Sequence, residues 1–455
     1  MTSILIEKLI YFRKQSGLSQ KDIAHRMGIT QSALSKIENQ TFMVGTELMS
    51  HYAKALGMKL DVVKEKMDDF FNQDVYEIRH FDTPLIQFRF SYQKDGSLQA
   101  EILWVNQNQA SLFPKDIVIS PSGIIEWLST RTIPKNRAFV YEILSSLGLQ
   151  EGDIKGIIDL GMGLSVNDSY WIVKEGFEGK FDTYNLYENH FNEAFSLVAW
   201  TGNQSSIRAF TTSPELTTNG MLAKAWRLQD DGLRLYKAGT EGFSNSGREP
   251  YCEAYAYQVG KAMGLDIVPY HLEKWKGKLA CVCPAFTSKT ISYMPIGRLV
   301  TSGGMQAVAN FYKQLGADCY DQFCSMVVFD ALIANEDRHF GNFGVLIDSA
   351  TNQIIGPAPL FDHGLGLLYA IPKDQMRSID SVYAYSLTRK SCFGTDFFTQ
   401  AANYIGAHQK EQLRHVLNFK FEEEAYNLPK RYLTRLEKTI QKRARMLLQL
   451  PSREV

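Results

Sequence analysis

The chain lacks net charge: 49 Lys and Arg stand against 49 Asp and Glu in 455 residues. No global field points to a nucleic-acid or membrane partner, so local imbalance has to be sought segment by segment. Cysteine is scarce, with six residues at 252, 281, 283, 319, 324 and 392 and no C-x-x-C pair. That usage excludes a paired zinc framework and a disulfide scaffold, and predicts free thiols in a reducing cytoplasm. No uncharged run approaches the ~18 residues that a membrane span needs. The opening MTSILIEKLIYFRK has no apolar signal core. These absences predict a cytoplasmic protein with no membrane partner. Internal repeats and low-complexity tracts are also missing. What remains is a globular composition, 45% apolar and 12% aromatic, over a length that suits two or three domains.

Residues 1–66 read as short helices with tight turns. Ser19 stands as an N-cap before QKDIAHRM, with Asp22 three residues later to complete a capping box. Gly28 breaks that helix and Thr30 caps the next, QSALSKIEN. Ala24 is small where two helices must cross, and Ile29, Leu34 and Ile37 supply apolar contacts between them. Gln20, Thr30, Gln31, Ser32, Ser35 and Lys36 are the polar positions that would meet DNA. Glutamine can pair with adenine there, while Ser and Lys reach phosphates or base edges. Nine Lys/Arg against five Asp/Glu over residues 1–64 leave about +4, which suits phosphate contacts. A helical bundle with a solvated polar face is the plainer alternative. The caps, the glycine turn and the TQSALSKIEN helix together resemble the Xre/Cro-type helix-turn-helix family over residues 4–62. That resemblance implies operator DNA as a partner, bound by a homodimer.

KEKMDDFFNQD at 64–74 is polar and charged, which suits a linker or a connecting helix, and residues 67–83 are expected to be a linker. From about 84 the period changes, and PLIQFRFSYQKDGSLQAEILWV alternates around Asp95-Gly96 as a hairpin does. Helical and aromatic-rich segments mix through 121–200. Short strands alternate with one good helix over 205–295, and helical patterns dominate from about 303. KRYLTRLEKTIQKRARMLLQ carries Leu433, Leu436, Ile440, Ala444 and Leu447 on one face, which predicts packing on the preceding helices rather than a second nucleic-acid site.

Residues 335–344 read NEDRHFGNFG, and FDHG follows at 361–364. Phosphoryl transfer needs metal ions to bridge nucleotide phosphates and a carboxylate to orient the acceptor hydroxyl. Protein kinases supply these as D-x-x-x-x-N followed by a metal-binding Asp before a glycine. Asp337 and Asn342 have that spacing, and Asp362 precedes His363-Gly364. Asp337 would accept the hydroxyl proton, while Asn342 and Asp362 would hold Mg²⁺ through hard oxygen ligands. Alone, the spacing is weak, because short polar side chains also build turns. His339 is read as orienting its loop; a zinc role would want a second spaced histidine or cysteine.

A kinase also needs a strand lysine for the phosphates and a helix glutamate to hold it. GLRLYKAGT alternates as a strand with Lys237 on it, and Glu253 lies sixteen residues on, in EAYAYQVGKAMGL. Ahead of them SPELTTNGMLAKAW forms a polar turn in which Ser213, Thr217, Thr218, Asn219 and Gly220 could cover phosphates. KLACVCPAFTS reads as a strand leaving into a hinge, where Pro284, Ala285 and Phe286 would meet adenine.

Taken in order, these parts resemble the HipA-like serine/threonine kinase family over 205–450. Asn335, Asp337, Arg338, His339 and Asn342 match its N-x-D-R-H-x-x-N loop, and Asp362 matches its metal-binding Asp. Lys237 matches its strand lysine, and Glu253 through Leu265 its helix. SPELTTNG-x3-K-A-W is similar to the CtkA-like subgroup, and stretches of 84–204 resemble the family's N-terminal subdomain. The resemblance implies a multidomain α+β chain. After the all-α helix-turn-helix of 1–66 and the linker come a small mixed subdomain (84–204), a β-rich kinase N-lobe (205–295) and a helical C-lobe (296–455). It also implies ATP and Mg²⁺ as cofactors, Asp337, Lys237, Glu253, Arg338 and His339 as catalytic residues, and a protein substrate. Autophosphorylation would fall on Ser213, Thr217 or Thr218. The alternative is a DNA-binding regulator whose kinase-like part senses nucleotide or phosphorylates a small molecule.

Overall fold

The computed structural model describes residues 6, 9–10, 12–14, 16–39, 46–58, 74–93, 96–203, 212–241 and 247–453. The chain divides into two units, residues 1–70 and 71–455. The first part of the expected linker (67–73) and Asp95 of the expected hairpin turn lie outside the described residues.

In the first unit the helices begin at their side-chain caps. Helix α1 (Gln20–Met27) starts after Ser19, whose hydroxyl accepts from the Asp22 N–H at 3.2 Å while the Asp22 carboxylate accepts from the Ser19 N–H at 2.8 Å. Gly28, at φ 68°, ends it in the left-handed region that glycine enters without strain. Thr30 then caps α2 (Gln31–Glu38) through the Ala33 N–H, and α3 (Thr46–Ala55) follows. Ile23, Ala24, Leu34, Ile37, Met49 and Tyr52 form the core.

One ion pair, Arg13 with Glu38, is buried against that core. Glu38 accepts from Arg13 Nε at 2.7 Å and Nη2 at 2.9 Å, from Gln20 Nε2 at 2.9 Å, and from the Tyr52 hydroxyl. Burial by itself would raise the Glu38 carboxyl, but the hydrogen bonds from Arg13, Gln20 and Tyr52 outweigh it and hold the group below its ordinary value of 4.5. Glu38→Ala would strand a buried guanidinium, so a loss of about 3–5 kcal/mol is expected. Amide exchange across α1–α3 in the full chain measures it, and unchanged protection would refute the expectation. Because the folded carboxyl is lowered, Glu38's contribution is complete above the ordinary carboxylate value and disappears as pH falls through the lowered one.

The second unit opens inside the stretch expected to be linker. VYEIRH forms strand β1 (Val75–His80), with Tyr76, Ile78 and His80 buried on one face. Its charges conceal it in the sequence, but Arg79 Nε donates to Glu77 at 2.7 Å, and both are satisfied within the sheet. The linker reading therefore fails at 75–83. Strands β2 (Thr83–Tyr92), β3 (Leu98–Val105) and β4 (Tyr170–Lys174) complete an antiparallel sheet of order β3-β2-β1-β4.

A second antiparallel sheet has the order β5-β6-β8-β7, from β5 (Lys224–Gln229), β6 (Gly232–Ala238), β7 (His271–Trp275) and β8 (Lys278–Pro284). Helix α4 (Glu249–Ala262) packs against it through Ala254 and its neighbours. Beyond the hinge, β9 (Ile291–Pro295) pairs with β10 (Gly344–Asp348), which turns back into β11 (Gln353–Pro357). Residues 291–295 thus belong with the second lobe, so the boundary expected at 295/296 moves ahead of β9. That lobe is otherwise helical around α5 (Ala317–Ile333), which is buried from Phe323 to its end. The final helix α6 (Lys430–Gln449) buries Leu436, Ile440, Ala444 and Leu447 in the same core, with Leu433 partly buried beside them. Among the described residues no helix is long and apolar enough to cross a membrane.

Candidate active site

The hairpin β5–β6 sets the wall of the site. Its turn pairs Gln229 with Gly232, and the same register brings Lys224 directly opposite Lys237. Two lysines facing across adjacent strands repel, yet both are buried, so anionic partners have to stabilise them. They come from elsewhere in the chain. Lys237 Nζ lies 2.9 Å from Glu253 Oε1 on α4 and 2.9 Å from Asp362 Oδ1, with the Tyr270 hydroxyl at 3.3 Å. Burial alone would lower the Lys237 ammonium, but Asp362 and Glu253 raise it well above its ordinary value. Burial also opposes ionisation of Asp362, and the charges of Lys237 and Lys224 win and hold it low. Lys224, whose Nζ donates to the Asn219 carbonyl at 2.7 Å, is pushed down to about 8 by burial.

The NEDRHFGN loop is folded around one arginine. Arg338 is buried, and its Nε and Nη2 reach Asp330 of α5 at 2.8 and 3.1 Å. Its Nη1 donates to the carbonyls of Asn342 and Phe361, both at 2.7 Å. Asn335 reinforces the same anchor through Asp330 at 2.9 Å. Arg338 therefore positions the loop rather than lining the cleft, which corrects its expected catalytic role. His339 Nδ1 accepts from the Gly341 N–H at 3.0 Å, a bond within the loop. Asn342 Nδ2 donates to the Asp337 carbonyl at 2.9 Å. Burial, aided by the charge of Asp362, raises the Asp337 carboxyl against the pull of His339.

Asp337, Asn342, Asp362, Lys224, Lys237 and Glu253 all line one cleft of about 1020 Å³. Thr217, Thr218, Asn219 and Gly220 cover it from one side, and Pro284, Ala285 and Phe286 border it at the hinge. Ser213 does not line it: its hydroxyl caps a short turn through the Glu215 N–H at 3.3 Å and is buried beneath the loop. At the hinge, Pro284 has no N–H and that of Ala285 goes to the Leu233 carbonyl at 2.8 Å. The side-chain oxygens of Asn342 and Asp362 suit a hard divalent cation, and Asp362 is kept ionised by two lysines.

The sequence reading gave Lys224 no role of its own. The signal was the two-residue turn between β5 and β6, which sets the pairing register. In the first unit, Thr30, Gln31, Ser32 and Lys36 are exposed and Ser35 is half-buried. The Gln20 amide is engaged by Glu38, so it is less free to read a base than expected.

The helix-turn-helix family model matches residues 9–63, and no curated protein matches the chain. Solved structures that match the chain include the following two. The Helicobacter pylori proinflammatory kinase CtkA is 19% identical, covering 50% of this chain and 92% of its own, at a TM-score of 0.39. A chain from the Shewanella oneidensis MR-1 toxin–antitoxin complex of HipA, HipB and operator DNA is 12% identical, covering 82% of this chain and 97% of its own, at a TM-score of 0.46. The chain is a multidomain α+β protein: a helix-turn-helix is followed by a mixed α/β subdomain, a second antiparallel sheet with its helix, and a largely helical lobe.

Proposed function

We propose that the chain is an ATP-dependent protein serine/threonine kinase of the HipA-like type, fused to its own operator-binding helix-turn-helix. One observation carries the reading: a buried lysine held 2.9 Å from both a helix glutamate and an aspartate, on a cleft also lined by Asp337 and Asn342. Mg²⁺-bound ATP would bring the transferable phosphoryl group and the charge that steadies it. Lys237 and Lys224 would bind its phosphates, and Asn342 and Asp362 would hold the metal. Adenine at the hinge would take backbone carbonyls or the N–H of Phe286. Asp337, raised toward the working range of a base, would accept the proton of the acceptor hydroxyl.

Autophosphorylation belongs to the same reading, and the loop must open for it. Thr217 donates to the Leu164 carbonyl at 3.0 Å and Thr218 to the Pro214 carbonyl at 2.6 Å, so with Ser213 all three hydroxyls are buried and engaged. The first unit would bind operator DNA as a homodimer through Gln31, Ser32 and Lys36. The test is incubation with Mg²⁺ and γ-labelled ATP, wild type beside Asp337→Ala, with phosphosite mapping. Label on the wild type alone is expected. ATP binding without label would favour a nucleotide-sensing regulator or a small-molecule acceptor, and no ATP binding would remove the kinase reading.

A further inference from the structure

The phosphate-covering loop is held from outside the lobe that carries it as well as from within. Arg137, from the mixed subdomain, inserts its guanidinium beneath residues 215–224. Its Nη2 pairs with Glu215 in an ion pair whose side chains are both 0% exposed. The same guanidinium donates to three backbone carbonyls: Glu215, Thr218 at 3.4 Å and Lys224 at 3.2 Å. The next residue adds a fourth tie, the Ala138 N–H donating to the Met221 carbonyl at 2.8 Å. Glu215 is fixed in turn by the Trp226 N–H at 2.7 Å.

These bonds dictate which way the loop's peptide planes face. In a trans peptide the C=O and the following N–H point in opposite directions. With the carbonyls of Thr218 and Met221 drawn toward residues 137 and 138, the N–H groups of Asn219 and Leu222 turn the other way. Asn219, Gly220, Met221 and Leu222 all line the cleft. Gly220 stands at φ 97°, and a Cβ there would lie 2.2 Å from Lys224 Nζ, so the loop also depends on glycine to bring that ammonium close. An N–H array aimed at one concavity is an anion cradle.

We propose that Arg137 is a positioning residue for nucleotide phosphates, so that the mixed subdomain controls whether the cleft can hold a nucleoside polyphosphate. This rests on the kinase reading and adds a dependence outside the two lobes. Seating of the subdomain turns the cradle on, and its withdrawal removes the guanidinium, lets the loop rotate and frees the Thr217 hydroxyl from the Leu164 carbonyl.

The test compares ATP with adenosine, because an effect at the phosphates must spare the nucleoside. Arg137→Lys keeps the buried charge opposite Glu215 but gives one donor head where the guanidinium spans three carbonyls. Arg137→Met/Glu215→Gln removes both charges, which avoids a stranded carboxylate and keeps an acceptor for the Trp226 N–H. Affinities are measured by calorimetry on the full chain, with thermal unfolding alongside. Both variants are expected to bind ATP at least 10-fold more weakly than wild type, with adenosine affinity within 2-fold. Equal losses for ATP and adenosine would make Arg137 merely structural and overturn the proposal, as would unchanged ATP affinity. A wild type that binds neither ligand would instead overturn the kinase reading and this one with it.

Discussion

Asp362→Asn is expected to slow ATP-dependent phosphoryl transfer by on the order of 10³-fold while the chain stays folded. The substitution keeps the shape and an oxygen acceptor for Lys237, so the hydrogen bond at 2.9 Å has a neutral replacement. What it removes is the negative charge at the meeting point of Lys237 and Lys224. Lys237 retains Glu253, which limits the cost to the fold. Mg²⁺ loses one of two proposed oxygen ligands, and the one that carries charge. Single-turnover transfer measured against Mg²⁺ concentration separates the roles. A variant that needs far more Mg²⁺ and still transfers slowly fits a metal ligand. Wild-type transfer at low Mg²⁺ would remove Asp362 from the metal site.

The parts of the fold that the sequence made legible are those whose determinants are local. Ser19, Asp22, Gly28 and Thr30 act within three residues of themselves, and the helix-turn-helix follows from them. The D-x-x-x-x-N spacing is local too, and the structure brings it to the same cleft as Lys237 and Glu253. Legibility failed where a charge is neutralised by something distant in sequence or hidden by pairing. β1 read as linker because Glu77 and Arg79 look solvated until they are seen to bond each other. Lys224 carries no signal of its own in the sequence because its compensation, Asp362, lies far along the chain. Arg137 carried no motif, and its partners only become visible once the loop of 213–224 is folded over it. A five-residue strand such as β9 does not say which sheet it joins; its pairing with β10 does.

Arg338 shows how a positioning residue can be told from a structural one. Its guanidinium joins the end of α5 to the loop of Asp337 and Asn342 and to the residue before Asp362. Arg338→Ala leaves Asp330 buried without its cation and two carbonyls without a donor, so a loss of about 3–5 kcal/mol is expected. Transfer activity should fall below detection, but instability alone would produce that result. The informative variant is Arg338→Met/Asp330→Asn, which removes both charges and lets Asn335 keep a partner. Replacing a buried ion pair with neutral groups of similar volume is often close to neutral for stability, so the double variant should recover most of the lost melting temperature. It should not recover transfer, because nothing then draws the carbonyls of Asn342 and Phe361 together and the two proposed metal ligands lose their common anchor. Nucleotide affinity in the absence of Mg²⁺ should stay near wild type, since Lys237 and Lys224 are untouched. A double variant that regains both stability and transfer would show that Arg338 only fills and neutralises its pocket, and that the geometry of the loop is held by other residues.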